Sequence, residues 1–123
     1  MKTFSKEERL CSQVLIDNLI AKGKSFNSFP FRISWIESSE NKVKVKVVIS
    51  VQKRIFKRAV DRNRLKRLTR ESYRKHKEIL FKELNDKKIN VMFVYTSKTI
   101  MDSKEIEEKM VSALQLLIKR INS

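Results

Sequence analysis

Residues 53 to 77 read Lys53-Arg54-Ile55-Phe56-Lys57-Arg58-Ala59-Val60-Asp61-Arg62-Asn63-Arg64-Leu65-Lys66-Arg67-Leu68-Thr69-Arg70-Glu71-Ser72-Tyr73-Arg74-Lys75-His76-Lys77. At 100° per residue, Leu65, Leu68, Ser72, His76 and Ile79 fall on one narrow stripe. Asn63, Lys66, Arg67, Arg70, Arg74 and Lys77 fall on the opposite side, with Arg62 and Arg64 on the flanks. That pattern is a helix with an apolar seam and a cationic outer face. The segment holds twelve Lys and Arg against Asp61 and Glu71, so a fifth of the chain carries +10 of its formal +15. Like charges four apart, such as Lys66 and Arg70, repel by a few tenths of a kcal/mol in an isolated helix. A helix that only needed to stay in water would alternate its signs. The bias points to a polyanionic partner that relieves the repulsion.

Working outward, the flanks supply a sheet for the seam to cover. Residues 5–22 are predicted as a helix, with Ser5 and Glu8 at capping-box spacing and Leu10, Cys11, Val14, Leu15, Ile16, Leu19 and Ile20 as its apolar surface. Gly23 is a natural stop. Residues 29–36 alternate Phe29, Phe31, Ile33 and Trp35 with Pro30, Arg32, Ser34 and Ile36, the period of a strand. A second strand over 43–51 alternates Val43, Val45, Val47, Ile49 and Val51 with Lys44, Lys46, Val48 and Ser50. Residues 90–96 form the most hydrophobic strand candidate, and Asp102 starts a last helix striped by Ile106, Met110, Leu114, Leu117 and Ile121. The fold class is α+β, one domain over residues 1–123, in the order α-β-β-(β)-α-β-α, the bracketed strand being an optional one after the first two and before the cationic helix. It is expected to be a two-layer sandwich, a small mixed sheet with helices packed on it.

Composition narrows the chemistry. Of 123 residues, 41% are hydrophobic, so the charge sits on a folded body and not on a disordered polycation. The chain has one Gly, one Pro, one Cys and one His. Gly23 alone cannot build a phosphate-cradling loop, a GXXG clamp or a glycine-bearing RNP strand. Cys11 and His76 cannot supply a Cys- and His-based tetrahedral zinc site, and no intrachain disulfide is possible. No signal-peptide run opens the sequence and none approaches the roughly 18 apolar residues of a membrane span. A cytoplasmic location fits. Cys11 reads as a small core residue and His76 as a packed or partly exposed structural one. Glu7 with Glu8, and Glu105 with Glu107 and Glu108, read as helix N-terminal carboxylates and not as a paired metal site.

The stretch from Lys53 to Arg74 closely resembles the signature of the bacterial ribonuclease P protein component. Its core is Arg62-Asn63-Arg64, then Lys66-Arg67 and Arg70, with Leu65 and Leu68 part of the spacing. The resemblance extends over nearly the whole chain in element order. It implies a left-handed βαβ crossover through the Arg62–Arg74 helix. It also implies an accessory subunit of the endoribonuclease that removes the 5′ leader from precursor tRNA. Catalysis is then expected from the RNA subunit, with Mg2+ bound mainly by that RNA and no catalytic or metal residue in the protein. The implied partners are the catalytic RNA subunit and precursor tRNA, with no membrane and no obligate protein partner.

The expected RNA-binding residues are Lys53, Arg54, Lys57, Arg58, Arg62, Asn63, Arg64, Lys66, Arg67, Arg70 and Arg74. The resemblance also implies a leader cleft between the first helix and the sheet. Its candidate lining is Ile16, Ile20, Arg32, Trp35, Lys44 and Lys46. Family members often offer aromatic residues from the first helix there, where this chain has Ile16, Leu19 and Ile20. Phe29, Phe31 and Trp35 stack bases or fill the core, depending on which strand face lines the cleft. The competing readings are a free-standing or ribosome-associated RNA-binding domain and a DNA-recognition helix. Nothing resembling a helix-turn-helix precedes Arg62, which counts against the last. An anionic membrane is disfavoured because the seam is needed to cover the sheet.

Overall fold

The structure, a computed structural model, describes residues 8–123. Along them run α1 (Gln13–Lys22), β1 (Lys24–Ser28), β2 (Phe31–Glu37), β3 (Val45–Val51), α2 (Ala59–Leu84), β4 (Ile89–Tyr95) and α3 (Ser103–Ile121). No strand lies between β3 and α2, where the optional one is expected; instead the extra strand is β1, which pairs antiparallel with β2 across a two-residue turn, Phe29-Pro30, whose peptide bond is cis. The sheet order is β1-β2-β4-β3, with β2 antiparallel and β3 parallel to β4. Parallel neighbours cannot be joined by a tight turn, and α2 is the crossover that connects β3 to β4.

Register sorts the sheet into two faces. Phe31, Ile33 and Trp35 on β2 pair with Tyr95, Phe93 and Val91 on β4, which in turn pair with Val51, Ile49 and Val47 on β3. This face meets α2 and α3 and holds the main core, including the Phe31–Phe93 and Tyr73–Phe93 ring pairs at 5.8 and 6.0 Å. The alternate residues Arg32, Ser34 and Ile36 pair with Val94, Met92 and Asn90, and these with Ser50, Val48 and Lys46. Helix α1 packs on β2 and β4, and its Leu19 is fully buried outside the main cluster. A Cβ at Gly23 would lie 2.4 Å from the Leu19 carbonyl oxygen and 3.0 Å from that of Trp35, so the chain can leave α1 for β1 this closely only without one.

Several expectations shift. Helix α1 starts at Gln13, capped by the Ser12 hydroxyl accepting from the Leu15 N–H, not at the expected position 5. Residues 8–12 are not α-helical; Arg9 instead forms a parallel bridge with Val47, and the Leu10 N–H donates to the Val47 carbonyl. Ser5 lies outside the described residues. The free edge of β3 captures this segment because its backbone groups need partners. Cys11 is exposed and not in the core. The α2 seam is also rotated: its buried residues are Leu65, Thr69, Ser72, Tyr73, Lys77, Leu80 and Leu84, with Leu68 and His76 only half-buried. The helix is covered by the sheet on one side and α3 on the other, and the two together hide a wider arc than one seam. Helix α3 begins as expected, with Asp102 Oδ1 accepting from the Glu105 N–H at 2.8 Å and all five stripe residues buried.

Candidate nucleic-acid interface

The connection from β3 to α2 and the first turns of α2 form one cationic surface. Lys53, Arg54, Lys57, Arg58, Asn63, Arg64 and Arg67 are exposed. Arg58, Asn63, Arg64 and Arg67 line a shallow concavity with Val60 and Asp61. Asp61 lies 3.8 Å from Arg58 and is the acidic residue of the first helical turn, where a carboxylate favours the dipole. Arg62 serves the fold as well. Its Nη1 donates to the Phe56 and Lys57 carbonyls at 2.7 and 2.9 Å, which holds the 53–58 connection against the helix start.

The other flank of α2 looks toward the edge of β3. Lys66 and Arg70 line a cleft of about 210 Å³ with Val47, Val48 and Ile49 and with Arg9, Leu10 and Cys11 from the N-terminal segment. Arg74 bonds Glu71 at 3.0 Å and is half-buried. Tertiary structure therefore divides the one cationic face of the sequence between two concavities, one open to solvent and one against β3. Arg9 enters the site here, missed because it was read as part of a helix.

On the second face of the sheet, Arg32 is exposed and Lys46 half-buried, with exposed Lys44 two residues before Lys46 on the same side. Ile16 is half-buried and Ile20 exposed on α1. Ser25 and Ser34 share a hydroxyl hydrogen bond at 3.0 Å on this face. Trp35 lies on the opposite one, buried in the main core with Lys24 Nζ 5.4 Å from its ring centre. Its alternation with Arg32 decides this, so the two cannot line one cleft.

Several other titratable groups are engaged within the fold. His76 Nε2 lies 2.8 Å from Glu107 Oε1, joining α2 to α3. That hydrogen bond, helped by Lys75, holds the Glu107 carboxyl below its ordinary value, while desolvation opposes it in part. Burial pushes the Tyr73 phenol far up, with Glu8 and Glu78 adding to the shift. Among the described residues, no three His, Cys, Asp or Glu side chains converge in a way that could hold a metal ion. No helix among them is long and apolar enough to cross a membrane.

The family profile described as ribonuclease P matches residues 4–118. The chain is similar to the ribonuclease P protein component of Porphyromonas gingivalis W83, 36% identical over 114 residues, covering 90% of this chain and 83% of that one. This chain belongs to the ribonuclease P protein family. It is also 40% identical to the Chlorobaculum tepidum protein component over 63 residues, 46% of this chain and 41% of that one. Two solved ribonuclease P proteins share its fold. That of Staphylococcus aureus superposes with a TM-score of 0.74 at 21% identity, covering 89% of this chain and 94% of the other. That of Thermotoga maritima gives 0.69 at 23%, covering 88% and 96%.

In this member of the family, the Arg62-Asn63-Arg64 motif sits in the first turns of α2, where the chain emerges from the sheet. Its spacing sends Asn63, Arg64 and Arg67 to solvent and Leu65 into the core. The motif residues thus serve two ends: Leu65 fixes the helix in the core and Arg62 holds the preceding connection, while Asn63, Arg64 and Arg67 face outward.

Proposed function

We propose that this chain is the protein subunit of ribonuclease P, binding the catalytic RNA and the 5′ leader of precursor tRNA during leader removal. The observation that carries the reading is the grouping of Arg58, Asn63, Arg64 and Arg67 on one exposed surface, in a chain of this family. Guanidinium groups suit bidentate contact with phosphate and stacking on bases. In this reading the 53–58 connection and the outer face of α2 hold the RNA subunit. Arg32, Lys44 and Lys46, beside α1, hold the leader phosphates. Ile16 and Ile20 then offer apolar contact to bases in place of aromatic stacking.

Hydrolysis of the phosphodiester belongs in this proposal to the RNA subunit, with Mg2+ held mainly by RNA oxygens. Among the described residues no cluster of His, Cys, Asp or Glu could hold a metal ion, and Glu71 and Glu8 are engaged in ion pairs. What the chain supplies is charge and position: it neutralises phosphates that would otherwise repel and fixes the single-stranded leader.

Reconstitution tests this. The purified chain, the RNA subunit transcribed from the same genome, Mg2+ and a precursor tRNA should together release a mature 5′ end. They should do so at lower Mg2+ than the RNA alone. Cleavage by the chain without RNA would overturn the accessory-subunit reading. Failure to stimulate, with ribosomal RNA recovered by cross-linking in cells, would favour a ribosome-associated domain instead.

A further inference from the structure

Three apolar side chains stand in solvent at one end of the molecule: Phe29, Val60 and Ile100, at 60%, 59% and 40% of full exposure. They are distant in sequence, and hydrogen bonds bring them to that end. The Pro30 carbonyl accepts from the Thr96 N–H at 2.7 Å and from Thr96 Oγ1 at 2.9 Å, which ties the Phe29 turn to the loop after β4. The Tyr95 hydroxyl donates to the Thr99 carbonyl at 2.7 Å and accepts from the Met101 N–H at 3.3 Å, so Ile100 is folded back to the end of β4. The Phe56 ring lies 5.9 Å from that of Tyr95, and Arg62 binds the Phe56 and Lys57 carbonyls, so the α2 turn with Val60 closes the same end.

The surroundings are cationic. Lys53, Arg54, Lys57, Arg58 and Lys98 are exposed on these same loops. The nearby carboxylates are engaged, Asp61 with Arg58 and Asp102 with the Glu105 N–H. The Phe29 ring is largely bare and lies outside the main core. Aromatic faces set among cations are the composition of surfaces that hold single-stranded nucleic acid, because every base has a π-face and every linkage a charge. A duplex hides its base faces. An apolar protein surface would meet five cations around three side chains, and desolvating them is costly.

We propose that this end of the fold is a stacking platform for an unpaired RNA base, with Phe29 as the platform and Lys57, Arg58 and Lys98 on the flanking phosphates. The proposal rests on the RNA-binding reading above and adds a kind of contact that the exposed part of α2, without an exposed aromatic ring, does not offer. The base belongs to the RNA subunit, because Arg58 and Val60 are shared with the concavity of Asn63, Arg64 and Arg67 assigned to that RNA.

Wild type, Phe29→Ala, Phe29→Trp and Phe29→Leu are compared in two arms. One is binding to the transcribed RNA subunit, and the other is binding of precursor tRNA to the assembled holoenzyme. Phe29→Ala should weaken binding to the RNA subunit roughly tenfold and leave the precursor-tRNA arm unchanged. Phe29→Trp should restore it and Phe29→Leu should not, because the π-face and not the apolar volume is needed. The salt dependence should keep its slope in Phe29→Ala and become shallower in Lys57→Ala with Arg58→Ala. All Phe29 variants should melt like wild type, since the side chain is not in the core. Equal affinity of Phe29→Ala and wild type for the RNA subunit, whatever the other arm shows, or rescue by Leu, overturns the platform and leaves the RNA-binding reading intact. A change in self-association with RNA affinity unchanged assigns the patch to a second copy and overturns it too. If wild type binds neither RNA, the RNA-binding reading itself falls.

Discussion

Lys77 places its ammonium between both carboxylate oxygens of Glu8, each 3.0 Å from Nζ, with only 8% of the Lys side chain exposed. Nζ also lies 5.6 Å from the centre of the Phe81 ring. Removing one member of such a pair strands the other charge away from water, at a cost of about 3–5 kcal/mol, whereas replacing both by apolar residues is often neutral. Lys77→Ala should therefore lower the melting temperature strongly, and the double change Lys77→Met with Glu8→Leu should recover most of it. Equal melting of the single variant and wild type would show that the pair carries no such load. The burial of Lys77 was not legible in the sequence. Helical phase put it with Arg70 and Arg74, and only the segment laid along β3 brings a carboxylate over it. Cys11 and Trp35 have the same lesson in reverse. Apolar character predicted a core position for the first and period two left the second open, but α1 starting late exposes Cys11 and the register buries Trp35.

At the scale of the element, α2 is the part of the molecule that works in both directions. Its Leu65 is fully buried while Arg64 and Arg67 on neighbouring positions face solvent. Replacing Arg64 and Arg67 together by Ala should weaken binding to the RNA subunit and reduce the salt slope by roughly one for each phosphate left without its cation. Competition binding from low to moderate salt checks it, and an unchanged slope would mean that neither side chain meets phosphate. The same helix is held to α3 by His76 and Glu107. The Glu107 carboxyl is lowered from its ordinary 4.5, first by the His76 hydrogen bond. The native state then binds fewer protons than the unfolded chain around that value. The stabilisation is present in full above about pH 4.5 and fades as the pH falls through the lower native value. Glu107→Gln should accordingly melt below wild type at pH 6, and the difference should shrink as the pH falls below 4.5. A difference independent of pH would trace the effect to packing. The helix itself, its cationic side and its family signature were legible, because 3.6-residue periodicity is local. Its buried arc was not, because α3 and the sheet cover it from two directions.

Taken whole, the molecule has a stiff centre and a lightly attached flank. β4 is hydrogen-bonded on both sides and its Ile89, Val91 and Phe93 are fully buried. α1 has ten residues, short of the length at which an isolated helix holds in water, and Leu19 is the residue it buries. Native-state hydrogen exchange should show β4 amides exchanging only through global unfolding and α1 amides through a smaller opening. Equal protection of the two would make α1 part of the same cooperative unit. Such an opening would change the second face of the sheet, where Arg32 and Lys46 lie, without disturbing the Arg62-Asn63-Arg64 surface. By itself the sequence determined the α+β class, the positions of β3, β4 and α3, the concentration of charge in one segment and the family, since each depends on composition, period or contiguous spacing. The tertiary structure alone decided that residues 8–10 join the edge of β3, that Lys77 is buried and that one cationic face is shared between two concavities. It alone brought Phe29, Val60 and Ile100 to one end. These are pairings between segments far apart in the chain, and a strand edge or an ion pair chooses its partner only when the whole backbone has placed it within reach.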